Sequence, residues 1–244
     1  DAYIAKVLAS RLNVLHSFYS TDMSVDSTWR ILDRFILNGE GRIDHLSGYL
    51  DGFQLWKALF EDGVHTILRG DEGFGRERVS SPQAVRRLAG LALCSDFSNL
   101  KHCKAFQLPD QYIPSHLQNR SGESLLTWRD RLYHEYRIPV YLTALSDLKL
   151  SYVEQVNPLF SRKILTVFRC FPDHLRTDKS LFKRMVTNMC PDIKIANAKA
   201  TASTENILRQ RTVVEILRNE LDSERARSRV PSGLIRQVQQ NLQV

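Results

Sequence analysis

Apolar residues recur at helical spacing from the first positions of the chain. Ile4, Val7, Leu8 and Leu12 share one face, which predicts an amphipathic helix over residues 2–12. Residues 14–20 suit a short strand. Asp26 or Ser27 is placed to cap a helix that carries Trp29, Leu32, Phe35 and Ile36 and ends at Gly39-Glu40-Gly41. A further apolar helix is expected over 46–60, with Leu50, Phe53, Trp56 and Phe60 on one side and Asp62-Gly63 as its stop. The pattern then changes. Val64-His65-Thr66-Ile67-Leu68 is short, apolar and partly β-branched, and it runs into Arg69-Gly70-Asp71-Glu72-Gly73-Phe74-Gly75. That combination reads as a buried parallel strand feeding a polar loop, half of a βαβ unit, and loops at the carboxyl ends of such strands hold ligands.

Downstream, Ser81-Pro82 opens a helix to about residue 94, with Ser as cap and Pro at the first helical position. Residues 95–122 look irregular. Residues 124–136 return to helical spacing, which Pro139 should break. Pro158 and Pro172 bracket a helix over 162–170. Thr177 or Asp178 should cap the next helix, which carries Lys179, Lys183 and Arg184 and ends at Pro191. Small and polar residues over 192–204 suggest a linker or exposed loop. A long helix is expected over 205–224 and a short one after Pro231. The pattern as a whole predicts an α/β chain, mostly helical, with a parallel sheet of few strands.

Composition narrows the class. At 244 residues the chain is one large domain or two small ones, and 43% apolar with 25% charged residues is ordinary for a folded globular protein. No run approaches the ~18 consecutive apolar residues of a spanning helix, which argues against a membrane protein. The chain starts without Met, directly inside a helical pattern, so a preceding piece is expected. Cys94, Cys103, Cys170 and Cys190 form no CxxC pair, which disfavours a zinc site built from two close pairs; His102 beside Cys103 is a weak metal signal. Few cysteines in a chain of this length point to a reducing compartment, hence a cytoplasmic location.

The net charge is +7, unevenly spread. Between Ser161 and Cys190, Arg162, Lys163, Arg169, Arg176, Lys179, Lys183 and Arg184 face only Asp173 and Asp178, a local excess of +5. Such a stretch attracts phosphates, nucleic acid or an acidic surface, or is simply a solvated helix face. Nucleic acid is the less favoured partner, because only Phe168, Phe171 and Phe182 interleave with the cations.

Three segments could carry chemistry. In Gly70-Asp71-Glu72-Gly73-Phe74-Gly75, Asp71 and Glu72 are paired carboxylates suited to Mg²⁺ that bridges nucleotide phosphates, while Gly70, Gly73 and Gly75 allow close backbone approach; the alternative is a plain turn with exposed acids. In the segment beginning Thr177-Asp178-Lys179, Lys179 at a helix start could stabilise developing negative charge, or belong to a solvated helix end. Glu154 sits in an apolar context before Pro158, where burial would raise its pKa towards that of a general base, or where an Arg could pair with it. Ser47-Gly48-Tyr49-Leu50-Asp51-Gly52 looks like a phosphate loop but follows no buried strand. GxSxG, GxGxxG and GxxxxGK[ST] are all absent.

In this order, the segments resemble the C-terminal synthetase domain of the asparagine synthetase family, whose relatives include β-lactam synthetase, carbapenam synthetase and lasso-peptide cyclases. Residues 3–14 with His16 resemble the helix and strand that follow the family's pyrophosphatase loop. Gly63-Val64, Ile67-Leu68 and Gly70 to Gly75 resemble its strand and SGEGxDExFGG loop. Val153-Glu154 with Pro158 is similar to VExRxPF, and Asp178 to Lys183 is similar to TKxxLR. The resemblance covers about residues 2–190.

It implies an adenine-nucleotide α-hydrolase-like (PP-loop ATPase) domain over 1–190 that lacks its pyrophosphatase loop, with 191–244 as a helical C-terminal extension. It implies a ligase that uses ATP and Mg²⁺ to activate a small-molecule or peptide carboxylate as an acyl-adenylate, which an amine or ammonia then converts to an amide. Asp71 and Glu72 would serve Mg²⁺–pyrophosphate, Lys179 the charge of the adenylate or amide step, and Glu154 a base or an anchor. The sequence departs from the family at several points. The SGGxDS loop would lie upstream of Asp1, the acidic loop is about two residues short, Val156 replaces an Arg and Leu145 replaces an Asp. Two alternatives stay open: an upstream domain or glutaminase partner completes the site, or the chain is a catalytically inactive relative acting as a binding or scaffold subunit.

Overall fold

The computed structural model describes residues 2–19, 28–40, 42–43, 53–73, 75–89, 113–192 and 209–242. Within them the chain is mostly helical around a small parallel sheet. Helices α1 (Ala2–Arg11) and α2 (Thr28–Gly39) precede α3 (Gln54–Glu61), and β1 (Thr66–Leu68) follows. Next come α4 (Pro82–Ala89), α5 (Leu125–Leu132), a π-helical segment (Tyr133–Leu142) and α6 (Thr143–Leu150). Strand β2 (Glu154–Val156) leads to α7 (Arg162–Arg169) and α8 (Ser180–Met189). Then α9 (Arg211–Asp222), α10 (Glu224–Arg229) and α11 (Ser232–Asn241) complete the described order. No helix among these residues is long and apolar enough to cross a membrane.

β1 and β2 run parallel in the register Thr66–Glu154, Ile67–Gln155 and Leu68–Val156. Side chains alternate across a strand, so only Ile67 turns towards the helices, where it packs on the core, while Thr66 and Leu68 face outwards. The expected fully buried strand is therefore covered on one face only; Leu68 is 76% exposed. The main core gathers Ile31 and Phe35 of α2, Phe53 and Trp56 at α3, Tyr141, Leu145 and Leu148 of the long helix, and Val153. Val213 of α9 enters the same core and Leu217 packs against it, so the C-terminal helices share it with the N-terminal ones. A second core joins Val79, Val85 and Ala89 to Leu117, Trp128 and Leu132.

Several local expectations change. Residues 14–19 form no strand, and Leu15 and Phe18 lie exposed. Phe60, expected on the buried side of α3, is 48% exposed. The helix opened by the Ser124 cap, whose hydroxyl accepts from Thr127 N at 3.1 Å, does not end at Pro139. It widens into π turns from Tyr133 to Leu142 and resumes as α6. Wider turns change which carbonyl each N–H meets, so a residue without an N–H is accommodated inside the helix rather than at its end. The long C-terminal helix ends at Asp222, close to its expected end, and Ser223, whose hydroxyl accepts from Ala226 N at 3.1 Å, caps α10, a further helix that the pattern did not predict. Ser81 caps α4 as expected, accepting from Ala84 N at 3.2 Å. The proposed cap at Asp26 or Ser27, the start of the helix expected over 46–60, residues 90–112 with His102 and Cys103, the segment 47–52 and nearly all of the linker lie outside the described residues.

Candidate functional site

The loop leaving β1 is held by three different contacts. Arg69 grips Asp71 with two nitrogens, at 2.8 and 3.1 Å. Glu72 pairs with the Lys179 ammonium. The Gly73 carbonyl accepts from His134 Nε2. A Cβ at Gly73 would sit 2.6 Å from Leu165 Cδ2, so this position admits only glycine without movement. Gly75 has φ +70°, and a Cβ there would meet the Lys179 Cα at 2.8 Å. A Cβ at Gly70 would meet nothing within 4 Å among the described residues.

Lys179 comes from a segment about a hundred residues further on, and the two segments join through their backbones. Lys179 N donates to Gly75 O at 3.0 Å and Asp178 N donates to Arg76 O at 3.0 Å, with Arg76 and Thr177 paired as in a parallel ladder. Neither Thr177 nor Asp178 caps α8. Lys179 itself occupies the cap position in a left-handed conformation, φ 56°, and Thr177 donates its hydroxyl to Asp173 O at 2.8 Å. This conformation lets the two segments approach and sets the Lys179 side chain over the acidic loop.

Beneath the junction lies an ion network that spacing alone did not reveal. Arg129 is 1% exposed and donates to Arg76 O at 3.1 Å, Glu77 O at 2.6 Å and Arg176 O at 3.1 Å. It also meets Asp130, which binds Arg176 on its other side. Burial pushes the Asp130 carboxyl above its ordinary value against the downward pull of both guanidiniums. Trp128-Arg129-Asp130-Arg131 places three consecutive charges on a helix with no free solvent face, and that density of charge beside a buried Trp was the available signal. The basic stretch is accordingly not one solvated face. Arg176 is buried, Lys179 is paired, and Arg169 meets Glu135 at 2.8 Å.

Above the junction opens a polar cavity of about 410 Å³. Among the described residues, Arg69, Arg76, Arg137, Lys149 and Lys179 line it against Asp71 and Glu72, so these walls are net cationic. The π-helical segment supplies Tyr133, Arg137 and Tyr141. The Arg76 guanidinium lies 3.8 Å from the Tyr133 ring centre and Arg137 lies 3.9 Å from that of Tyr141. Arg76 Nε and Asn157 Oδ1 are buried without a hydrogen-bond partner among the described residues. Burial lowers Arg76 to about 10, which leaves it charged at neutral pH, and lowers Lys149 to about 7, helped by Arg69. Burial also lowers His134 to about 4, so it is neutral where it holds Gly73.

Of the residues singled out by sequence, Asp71, Glu72 and Lys179 line this cavity, while Gly70, Gly73 and Gly75 belong to the same loop but not to the lining. Glu154 does not join them. It is exposed on β2, outside the cavity lining, so the buried, base-like setting expected for it is absent. The alternation of β2 explains this: Val153, just before the strand, and Gln155 turn inwards, and Glu154 turns out. Arg76, Arg137 and Lys149 were not anticipated. Lys149 is 3% exposed within an apolar helix face, and Arg137 sits in a helix that the Pro had seemed to terminate.

Two carboxylates facing a cationic cavity suit a Mg²⁺ ion delivered with phosphates, which binds through one or two carboxylates. They do not make a resident metal centre, and no group of three or more His, Cys, Asp or Glu among the described residues is placed to hold a metal. No protein-family model, curated protein or solved structure matches the chain.

Proposed function

We propose that the chain is an ATP-dependent, AMP-forming ligase domain that makes amide bonds, of the asparagine synthetase type with a PP-loop ATPase-like architecture. One observation carries this reading. The acidic loop and the Lys179 segment, remote in sequence, are joined at the rim of a cationic cavity large enough for phosphates, with Lys179 against Glu72. Arg69, Arg76 and Arg137 supply the fixed positive charge that a polyphosphate needs. Asp71 and Glu72 would hold Mg²⁺, which supplies charge neutralisation of the phosphates.

In the reaction, a substrate carboxylate oxygen bonds to the α-phosphorus of ATP and the bond to pyrophosphate breaks. An amine or ammonia then bonds to the acyl carbon, AMP leaves, and the nitrogen gives up a proton. Lys179 stabilises the negative charge of both steps. Lys149, with a pKa of about 7, is the lining group able to take the proton near neutrality, in place of the exposed Glu154.

The test is a calorimetric titration with ATP and Mg²⁺ of the wild type, Lys179→Ala and Asp71→Asn. Wild-type binding weakened about tenfold or more in both variants supports the reading; no binding by the wild type or by a chain extended upstream to include the phosphate loop overturns it. A second reading, a non-catalytic relative that serves as a binding or scaffold subunit, is favoured by one feature: both carboxylates are already neutralised by Arg69 and Lys179. Tight nucleotide binding with no pyrophosphate release from any carboxylate, even in a chain extended upstream or supplied with a glutaminase partner, selects it.

A further inference from the structure

The polar cavity contains one group that phosphate binding does not need. Lys149 lines it, but it belongs to a buried and otherwise apolar part of α6. Ala144, Leu145 and Leu148 are buried with it, and its amine lies 5.2 Å from the Trp56 ring centre. Arg137, Tyr141, Leu145 and Lys149 recur at every fourth position and all line the cavity. One face of the long helix therefore presents a guanidinium at one end and an amine at the other. Without Lys149, the described lining carries four cationic side chains, Arg69, Arg76, Arg137 and Lys179, and two carboxylates. The carboxylates are taken, Asp71 by Arg69 and Glu72 by Lys179. Arg76 lies on the Tyr133 ring and has no ion-pair partner among the described residues.

We infer that Lys149 captures a phosphorylated aldehyde or ketone as an imine, with the phosphate held at Arg76. Charge selects the phosphate. The lining has two cations in excess of its carboxylates, and a phosphate monoester brings nearly two negative charges at neutral pH. Environment selects the amine. A lysine in an apolar wall, beside other cations, is poorly solvated as an ammonium and becomes a nucleophile towards carbonyl carbon. Burial, helped by Arg69, brings Lys149 to about 7, so much of it is free amine under mild conditions. In the step, the Lys149 nitrogen bonds to the carbonyl carbon, and both amine hydrogens leave with the carbonyl oxygen as water. Nothing is oxidised or reduced. The inference uses the cationic cavity of the ligase reading but none of its chemistry, since neither nucleotide nor metal takes part.

The test treats the wild type with pyridoxal 5′-phosphate or with pyridoxal, which differ in the phosphate. Borohydride then reduces any imine, and peptide mass spectrometry locates the modified lysines. Lys57, whose side chain is 65% exposed, serves as the internal reference for each aldehyde's own reactivity. The phosphate should lower the concentration that half-modifies Lys149 by at least about tenfold more than it does for Lys57. Arg76→Gln should erase that difference and leave Lys57 as it was. A Lys149 that stays unmodified overturns the inference, and so does a phosphate effect equal at the two lysines or one that Arg76→Gln leaves unchanged. Titration with ATP–Mg²⁺ separates this inference from the ligase reading. Selective modification of Lys149 in a chain that binds no ATP–Mg²⁺, extended upstream or not, upholds the imine and refutes the ligase. ATP–Mg²⁺ binding by a chain whose Lys149 resists modification refutes the imine and leaves the ligase reading standing.

Discussion

Replacing Lys149 with methionine should remove a pH dependence of stability that the native chain carries. Lys149 is 3% exposed, with its ammonium 5.2 Å from the Trp56 ring centre. Burial is the main cause that brings its pKa from 10.5 to about 7, and repulsion from Arg69 adds to it. Between those two values the unfolded chain holds a proton that the folded chain has released, so stability rises with pH at close to ~1.4 kcal/mol per unit. Below about 7 both states carry the proton, above 10.5 neither does, and the slope vanishes at each end. From pH 7 to pH 9 the gain amounts to about 2 kcal/mol. Methionine keeps the unbranched stem and drops the charge. Urea denaturation of both proteins at pH 7, 8 and 9 measures the effect as a difference, in which every other titrating group cancels. The native chain should gain about 2 kcal/mol on the variant across this interval. A gap that stays constant from pH 7 to pH 9 would refute the reasoning, because the ammonium would then be as easily protonated in the fold as outside it.

Arg129→Met should cost about 3–5 kcal/mol in denaturant unfolding, since it frees three carbonyls and half of the charge compensation of a buried carboxylate; a cost under 1 kcal/mol would show that the network contributes little. Gly75→Ala should destabilise by more than about 1 kcal/mol and weaken ATP–Mg²⁺ binding, because both its φ and its closeness to Lys179 oppose a side chain. Gly70→Ala, with nothing near its Cβ, should change stability by no more than about 0.5 kcal/mol, and equal melting temperatures for the two variants would contradict this account.

Much of the helical framework was legible because it is written in local periodicity and caps. The α1, α2, α4 and α7 positions follow from apolar spacing and from Ser81, Pro82 and the bracketing prolines. The acidic loop was legible as a break between a β-branched run and glycines. What escaped was set by tertiary context. Pro139 carries the same local signal whether a helix ends or widens, and only packing on both sides of it decides. Glu154 could have faced either way, because a strand's inward face depends on which layer covers it. Lys149 and Arg129 read as surface residues by type, and their burial depends on partners many positions away: Trp56 and Arg69 for one, the loop backbone for the other. The meeting of Gly75 with Lys179 is likewise a tertiary event, since neither segment alone encodes the other's place.

The Arg129 guanidinium has a consequence for how the site responds as a unit. It holds the carbonyls of Arg76, Glu77 and Arg176 together, and the amides of Asp178 and Lys179 are bonded across the same junction. Opening either segment therefore breaks the bonds of both, so the two should exchange their amide hydrogens for deuterium in one cooperative step rather than separately. A ligand that contacts only one side would then slow exchange on both, and a protein so wired reports occupancy of its cavity on either segment, whichever the ligand touches.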